Sequence, residues 1–448
     1  MHWKPLPVML AAFAVMCHAA DGDMDAGFGT NGSIVLAPPD SSPQALAVAI
    51  QDDGKIVVGG SRWAFGQDLT LNQAVVWRFL PDGTADPTFG DSGLSAIAFG
   101  QSVPSVFSVL PLPSGDILVA GNLGGFAVIR LHDDGALDAE FGNGGTANVD
   151  FSDLEFSGTA AIAVTVDPQG RILLAGGGKP ANSTQNGPFF GAVARLLSSG
   201  IPDPDFGASG RVVIPVGDTT SSSRVLFRGV QHGEGDRIWL SGVTNAIEVS
   251  GVNSFLAARL DQFGKLDASF GNGGIVTANL SQDSDDWGNN GVLDHGRWTI
   301  GGSCDPGGMA ALCFLRLDEA GVPDAGYGTN GWAVAMLGSG SLRPGSLACQ
   351  SDGKCLDLVA APSPTTSLRQ FVVARVDGNG IPDSEFGTNG IARIDVPISG
   401  DGGHVMARGM AIQGGRPILV GSTDGVPSVN ALYATRLDNE LIFSGHFD

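Results

Sequence analysis

Leu137-Asp138-Ala-Glu-Phe141-Gly142-Asn-Gly-Gly145 is one of seven copies of a single pattern in this chain. In each copy an Asp is followed three residues later by an aromatic residue and then Gly. The copies are Asp25-Phe28-Gly29, Asp86-Phe89-Gly90, Asp138-Phe141-Gly142, Asp203-Phe206-Gly207, Asp267-Phe270-Gly271, Asp324-Tyr327-Gly328 and Asp383-Phe386-Gly387. The aromatic residues lie 61, 52, 65, 64, 57 and 59 positions apart, and a second Gly always follows the first by three. Units of this size are too small to bury a core alone and must stack on their neighbours, so the period marks a repeat architecture.

One unit reads outward from its motif. Residues 45–50 are continuously apolar, as in a strand buried on both faces. Gln51-Asp52-Asp53-Gly54 turns the chain and 55–60 returns. A variable loop precedes a third strand, 74–80; Pro81-Asp82-Gly83 turns, and 94–99 follows the motif as a fourth strand. Four antiparallel strands with no helical stretch make one propeller blade. The order recurs around hairpins such as 162–176, 346–359 and 410–421.

Third strands number seven, ending in the last unit with 432–437. The first motif, at Asp25, has no third strand before it. The last third strand is followed only by a degraded copy, Asn439-Glu-Leu-Ile-Phe443-Ser-Gly445. The segment 25–36 is therefore expected to supply the outer strand of the last blade and close the ring, leaving no open edge. The fold class is all-β: a single seven-bladed β-propeller over residues 21–448.

Arg78, Arg130, Arg195, Arg259, Arg316 and Arg375 each lie eight residues before a motif Asp, and Arg436 keeps the place where the Asp is missing. A charge-assisted bond between the two fixes the turn to the outer strand. A single binding site does not need seven copies of itself, so Asp, Arg and aromatic read as scaffold. The aromatic plugs the space between blades.

Net charge is −22, which argues against nucleic acid and anionic membrane surfaces as partners. Gly makes up 68 of 448 residues, gathered in turns between apolar runs, an all-β signature. Residues 1–20 read as a signal peptide: Lys4, an apolar run over 6–15, then Ala19-Ala20 before Asp21-Gly22-Asp23. No later stretch is long and apolar enough to span a bilayer. A secreted, periplasmic or extracellular protein is expected, with no cofactor required. Beyond Cys17, Cys304, Cys313, Cys349 and Cys355 remain. Proximity favours disulfides Cys304–Cys313 and Cys349–Cys355. A zinc site is the alternative, but no CxxC spacing or accompanying His supports it. Cys349 and Cys355 flank a three-residue hairpin loop, where other units carry the apolar pairs Ile50/Ile56, Val166/Ile172 and Val292/Trp298.

The units Leu137-Asp138-Ala-Glu-Phe141-Gly142-Asn-Gly-Gly145, Asp53-Gly54-Lys55-Ile56 and Ala194-Arg195-Leu196 resemble the delta-60 repeat family of bacterial β-propellers. The resemblance covers nearly the whole chain after the leader. It implies a secreted or surface propeller and brings no catalytic residue.

The first hairpin and the motif turn fall on one face of each blade; the second-to-third loop and the link to the next blade fall on the other. Variable loops on a rigid scaffold carry function. The irregular face therefore offers Trp63, Phe65, Phe189, Phe190 and Trp287 as a platform for a sugar or peptide. Asp283, Asp285 and Asp286 offer oxygen ligands of the kind Ca²⁺ takes, or form a solvated acidic loop. Five His beyond the leader are scattered, without metal-ligand spacing. The expected role is a monomeric binding or interaction module for a protein, glycan or small extracellular ligand. The alternative is an extracellular hydrolase or lyase with carboxylates in the central funnel.

Overall fold

The computed structural model describes residues 21–64, 72–98, 104–123, 125–181, 188–216, 224–245, 252–281, 284–365, 369–396, 404–424 and 431–439. Residues 1–20, Phe65, Asp283 and the degraded copy from 440 onward lie outside them. Seven four-stranded antiparallel sheets follow one another, each with strands in spatial order from inner to outer. Blade 1 comprises Ser41–Ile50, Ile56–Ala64, Gln73–Phe79 and Leu94–Ala98. The inner strands of blades 2 to 7 are Ser105–Pro111, Phe156–Val166, Val225–Gly233, Trp287–Asp294, Arg343–Cys349 and His404–Gln413. No helix of the described residues is long and apolar enough to cross a membrane.

The core is seven separate layers, one at each blade interface. The layer between blades 7 and 1 joins Phe28 and Ile34 to Ala45, Ile56, Ile418 and Leu432. Closing the ring in this way leaves each apolar sheet face a partner.

The seventh blade is completed by the N-terminus. Ser33–Leu36 pairs antiparallel with Ala431–Arg436, Ile34 opposite Ala434. Asp25 meets Arg436 across 411 residues of chain, Nε to Oδ2 at 2.7 Å. The clasp extends further than the outer strand. In blade 1 the turn after the third strand is closed by Gly83 N–H donating to Leu80 and Leu80 N–H donating to Thr84. In blade 7 the same bonds run from Gly22 N–H to Asp438 and from Asp438 N–H to Asp23. One turn is thus assembled from both ends of the described chain.

The motif geometry is uniform. The seven Arg–Asp pairs have N···O distances between 2.5 and 2.9 Å. Each guanidinium lies 4.1 to 4.9 Å from the centroid of its own motif aromatic ring. All seven rings are buried. The first motif Gly donates its N–H to the turn of the next blade, as Gly90 does to Asp134 at 2.7 Å and Gly387 does to Asp21 at 2.8 Å. Each ring lies against that turn's glycine. A Cβ on Gly83, whose φ is +87°, would lie 2.9 Å from the Phe28 ring.

The two disulfides are Cys304–Cys313 and Cys349–Cys355. Cys349 stands directly opposite Cys355, as Ile50 does Ile56 and Val166 does Ile172. The fifth hairpin departs from the expected Val292/Trp298 pairing: Trp298 faces Leu293. Its loop is the two residues His295-Gly296, both at positive φ (46° and 75°), which shortens the hairpin and moves the register by one. The inner strands also depart from burial on both faces. In blade 1, Ala45 is buried in the interface, whereas Leu46 lines a central channel.

Candidate central-channel site

All seven inner strands bulge at the same level. The pairing register with the second strand shifts between Ala45 and Ala47, Val106 and Ser108, Ala161 and Ala163, and Phe227 and Gly229. It shifts again between Gly288 and Gly291, Pro344 and Leu347, and Ala407 and Gly409. A bulge leaves its extra residue unpaired and re-aims its side chain. Leu46, Phe107, Ile162, Arg228, Asn289-Asn290, Gly345-Ser346 and Arg408 are those residues, and all line one cavity of about 390 Å³ on the ring axis.

The second strand makes room for the bulge. A Cβ on Gly60 would run into the Gln44 carbonyl oxygen, and one on Gly121 into that of Ser105. Gly176, Gly242, Gly302 and Gly421 stand in the same relation to Ala160, Leu226, Trp287 and Met406. A strand-interior glycine where another backbone approaches closely is a recognisable signal. These six glycines carry that signal.

Around the ring the bulge side chains are unlike one another. Blades 1 to 3 present Leu46, Phe107 and Ile162; blades 4 to 7 present arginine, amide and hydroxyl groups. Among the described cavity-lining residues there is no Asp, Glu, His or Lys. The bulge positions themselves are apolar, amide, hydroxyl, glycine or cationic. Arg228 Nε is buried with no hydrogen-bond partner, and Asn289, 1% exposed, has both amide atoms unpartnered. Asn290 is committed: its Nδ2 donates to the Leu347 carbonyl and its Oδ1 accepts from Leu347 N–H, both at 2.8 Å. Burial, and secondarily the charge of Arg408, push the Arg228 guanidinium down to about 10, so it stays cationic at neutral pH.

The aromatic residues of the irregular face are dispersed. Trp63 is exposed at the end of the second strand of blade 1, its Nε1 donating to Ser61 Oγ. Phe190 stacks on Phe156 with centroids 5.9 Å apart, and Phe189 makes an isolated bridge to Arg224. Trp287 opens the inner strand of blade 5, and its Nε1 donates to Asp285 Oδ2 at 3.0 Å. They form no common platform among the described residues.

The acidic loop is knit into the fold. Asp285 Oδ1 accepts from both Asn253 N–H and Asn253 Nδ2, tying blade 4 to blade 5. Asp286 is fully buried; it accepts from Leu280 N–H and from Ser284 Oγ. Burial raises its carboxyl to about 6, against those two hydrogen bonds and with help from the charges of Asp305 and Asp285. No group of three or more metal-ligating side chains occurs among the described residues.

The family model described as Domain of unknown function (DUF5122) beta-propeller matches residues 51–89 and 112–141. Each stretch runs from a first hairpin to a motif aromatic, so a β-propeller family is supported over two blades. No protein of curated function matches the sequence. Among solved structures, Drosophila Semaphorin 2a aligns at 9% identity and TM-score 0.49, over 90% of this chain and 75% of that one. The NanB sialidase of Streptococcus pneumoniae aligns at 10% and 0.40, over 92% and 70%. For the Bombyx mori GH32 beta-fructofuranosidase BmSUC1 the values are 13% and 0.33, and the alignment spans 60% of this chain and 59% of that chain. Similarities at this level transfer no activity.

Proposed function

We propose that the protein is an exported binding module that captures a small extracellular ligand in the central channel. The observation carrying this reading is the bulge ring. The scaffold repeats its motif seven times, yet the seven bulge positions hold different side chains around one cavity. A wall needed only for packing has no use for two arginines and an unpaired buried amide. Export is supported by two disulfides, which persist in oxidising compartments, together with the leader-like residues 1–20. Binding is favoured because the described wall combines apolar, amide and cationic groups, which hold and orient a ligand.

The test is ligand capture by the protein lacking residues 1–20, in parallel with Ser346→Trp, which fills the channel without touching the motif ring. Ligands that raise the wild-type melting temperature are expected to leave the variant unaffected. Equal shifts in both proteins would place binding outside the channel.

A further inference from the structure

The identities around the bulge ring sort into two arcs. At the bulge positions blades 1, 2 and 3 contribute the apolar Leu46, Phe107 and Ile162, with Gln44, Ser105 and Ser108 beside them in the lining. Blades 5 and 6 contribute Asn289 and Ser346, and the flanking blades, 4 and 7, each contribute an arginine. Arg228 and Arg408 thus stand at the two ends of the polar arc, facing one lumen. In a chain of net charge −22 this cavity is lined by cations alone among its charged groups.

That arrangement is unfavourable when the channel holds only water. Two guanidiniums of like charge line one confined space. Arg228 Nε and the Asn289 amide are removed from solvent without partners, and an unpaired buried polar group costs about 1–3 kcal/mol. An anion on the polar arc lies between the two guanidiniums that line it. Approaching side-on, it takes Nε and Nη of one guanidinium together. The rest of the ligand then lies against Leu46, Phe107 and Ile162.

We infer that the channel ligand is an organic anion with an apolar body, its charged group held between Arg228 and Arg408 and its body against the wall of blades 1 to 3. This rests on the channel being the binding site. About 390 Å³ accommodates a drug-sized molecule and excludes a folded polypeptide.

Calorimetric titration of the protein lacking residues 1–20 with naphthoate and octanoate, against naphthalenemethanol and octanol, tests the inference. The acids are expected to bind saturably and the alcohols about tenfold or more weaker, the worth of one charge-assisted bond. Arg228→Gln and Arg408→Gln should each weaken the acids by about tenfold or more, while Arg228→Lys recovers part of the loss. Circular dichroism confirms that each variant is folded. Alcohols binding as tightly as acids, with Phe107→Ala abolishing both, would remove the anion and leave the channel site standing. Acids unaffected by either arginine substitution would overturn the inference. Absence of binding by any of the four probes to the folded wild type would overturn the inference and the channel site together.

Discussion

Replacing Phe28 with Ala tests whether the N-terminal segment is structurally equivalent to any other motif. Phe28 is fully buried, sits 4.9 Å from the Arg436 guanidinium and packs on Gly83 of blade 1. A buried aromatic side chain removes roughly 150–250 Å² from water. At about 25 cal/mol per Å² that is roughly 4–6 kcal/mol, of which the Ala retains a part. Loss of the cation–π contact adds about 1 kcal/mol. The expected cost is about 3–5 kcal/mol, in the range of other Phe→Ala substitutions in cores. Phe206→Ala, at a motif whose Asp and Arg lie only eight residues apart, is the control. Urea unfolding followed by tryptophan fluorescence should give the two variants the same loss of midpoint. A Phe28→Ala protein within about 0.5 kcal/mol of wild type, beside a strongly destabilised Phe206→Ala, would refute the clasp as a stabilising element.

Asp286→Asn addresses a group whose carboxyl stands at about 6 in the fold against 3.8 normally. Because the native state holds this proton more tightly, wild-type stability should fall as pH rises from about 4 through 6 and then level, by about 2–3 kcal/mol. The Asn variant should lack that decline; the same wild-type-minus-variant difference at pH 4.5 and pH 7 would contradict it. Removing the Cys349–Cys355 bridge with Cys349→Ser and Cys355→Ser should cost about 2 kcal/mol for so short a loop, read as a urea midpoint that reductant no longer shifts by that amount. Gly242→Ala drives a Cβ into the Leu226 carbonyl and should cost about 1–3 kcal/mol. It should also weaken naphthoate binding, since the displaced strand carries the Arg228 bulge; unchanged stability and binding would sever the glycine from the bulge.

The motif made the fold legible because its spacing is set by blade size and its residues face the same neighbours in every blade. The count of third strands pointed to 25–36 as the outer strand of the last blade, and the structure sets Asp25 against Arg436 there. The role of Asp21-Gly22 was hidden, since the turn it completes begins at Asp438 and no local pattern joins them. Val292/Trp298 failed because a two-residue loop and a three-residue loop give the same count of apolar residues. The channel wall was illegible for a different reason. Leu46, Phe107 and Ile162 look like core residues in a one-dimensional pattern, and only the bulge turns them toward the axis. The glycines opposite, Gly60 to Gly421, were the available clue.

The split turn also sets the order of assembly. Asp25 and Arg436 meet across 411 residues of chain. Closing so long a loop costs about 5 kcal/mol of chain entropy before the contact forms. Until it does, the segment Ser33–Leu36 has no mate and the strand Ala431–Arg436 keeps an open edge. A second nascent copy offers the same segment without that entropic cost at high local concentration. The ring's last step therefore competes with exchange of this segment between copies, and linear chains of propellers joined at blade 7 are the product expected of that exchange.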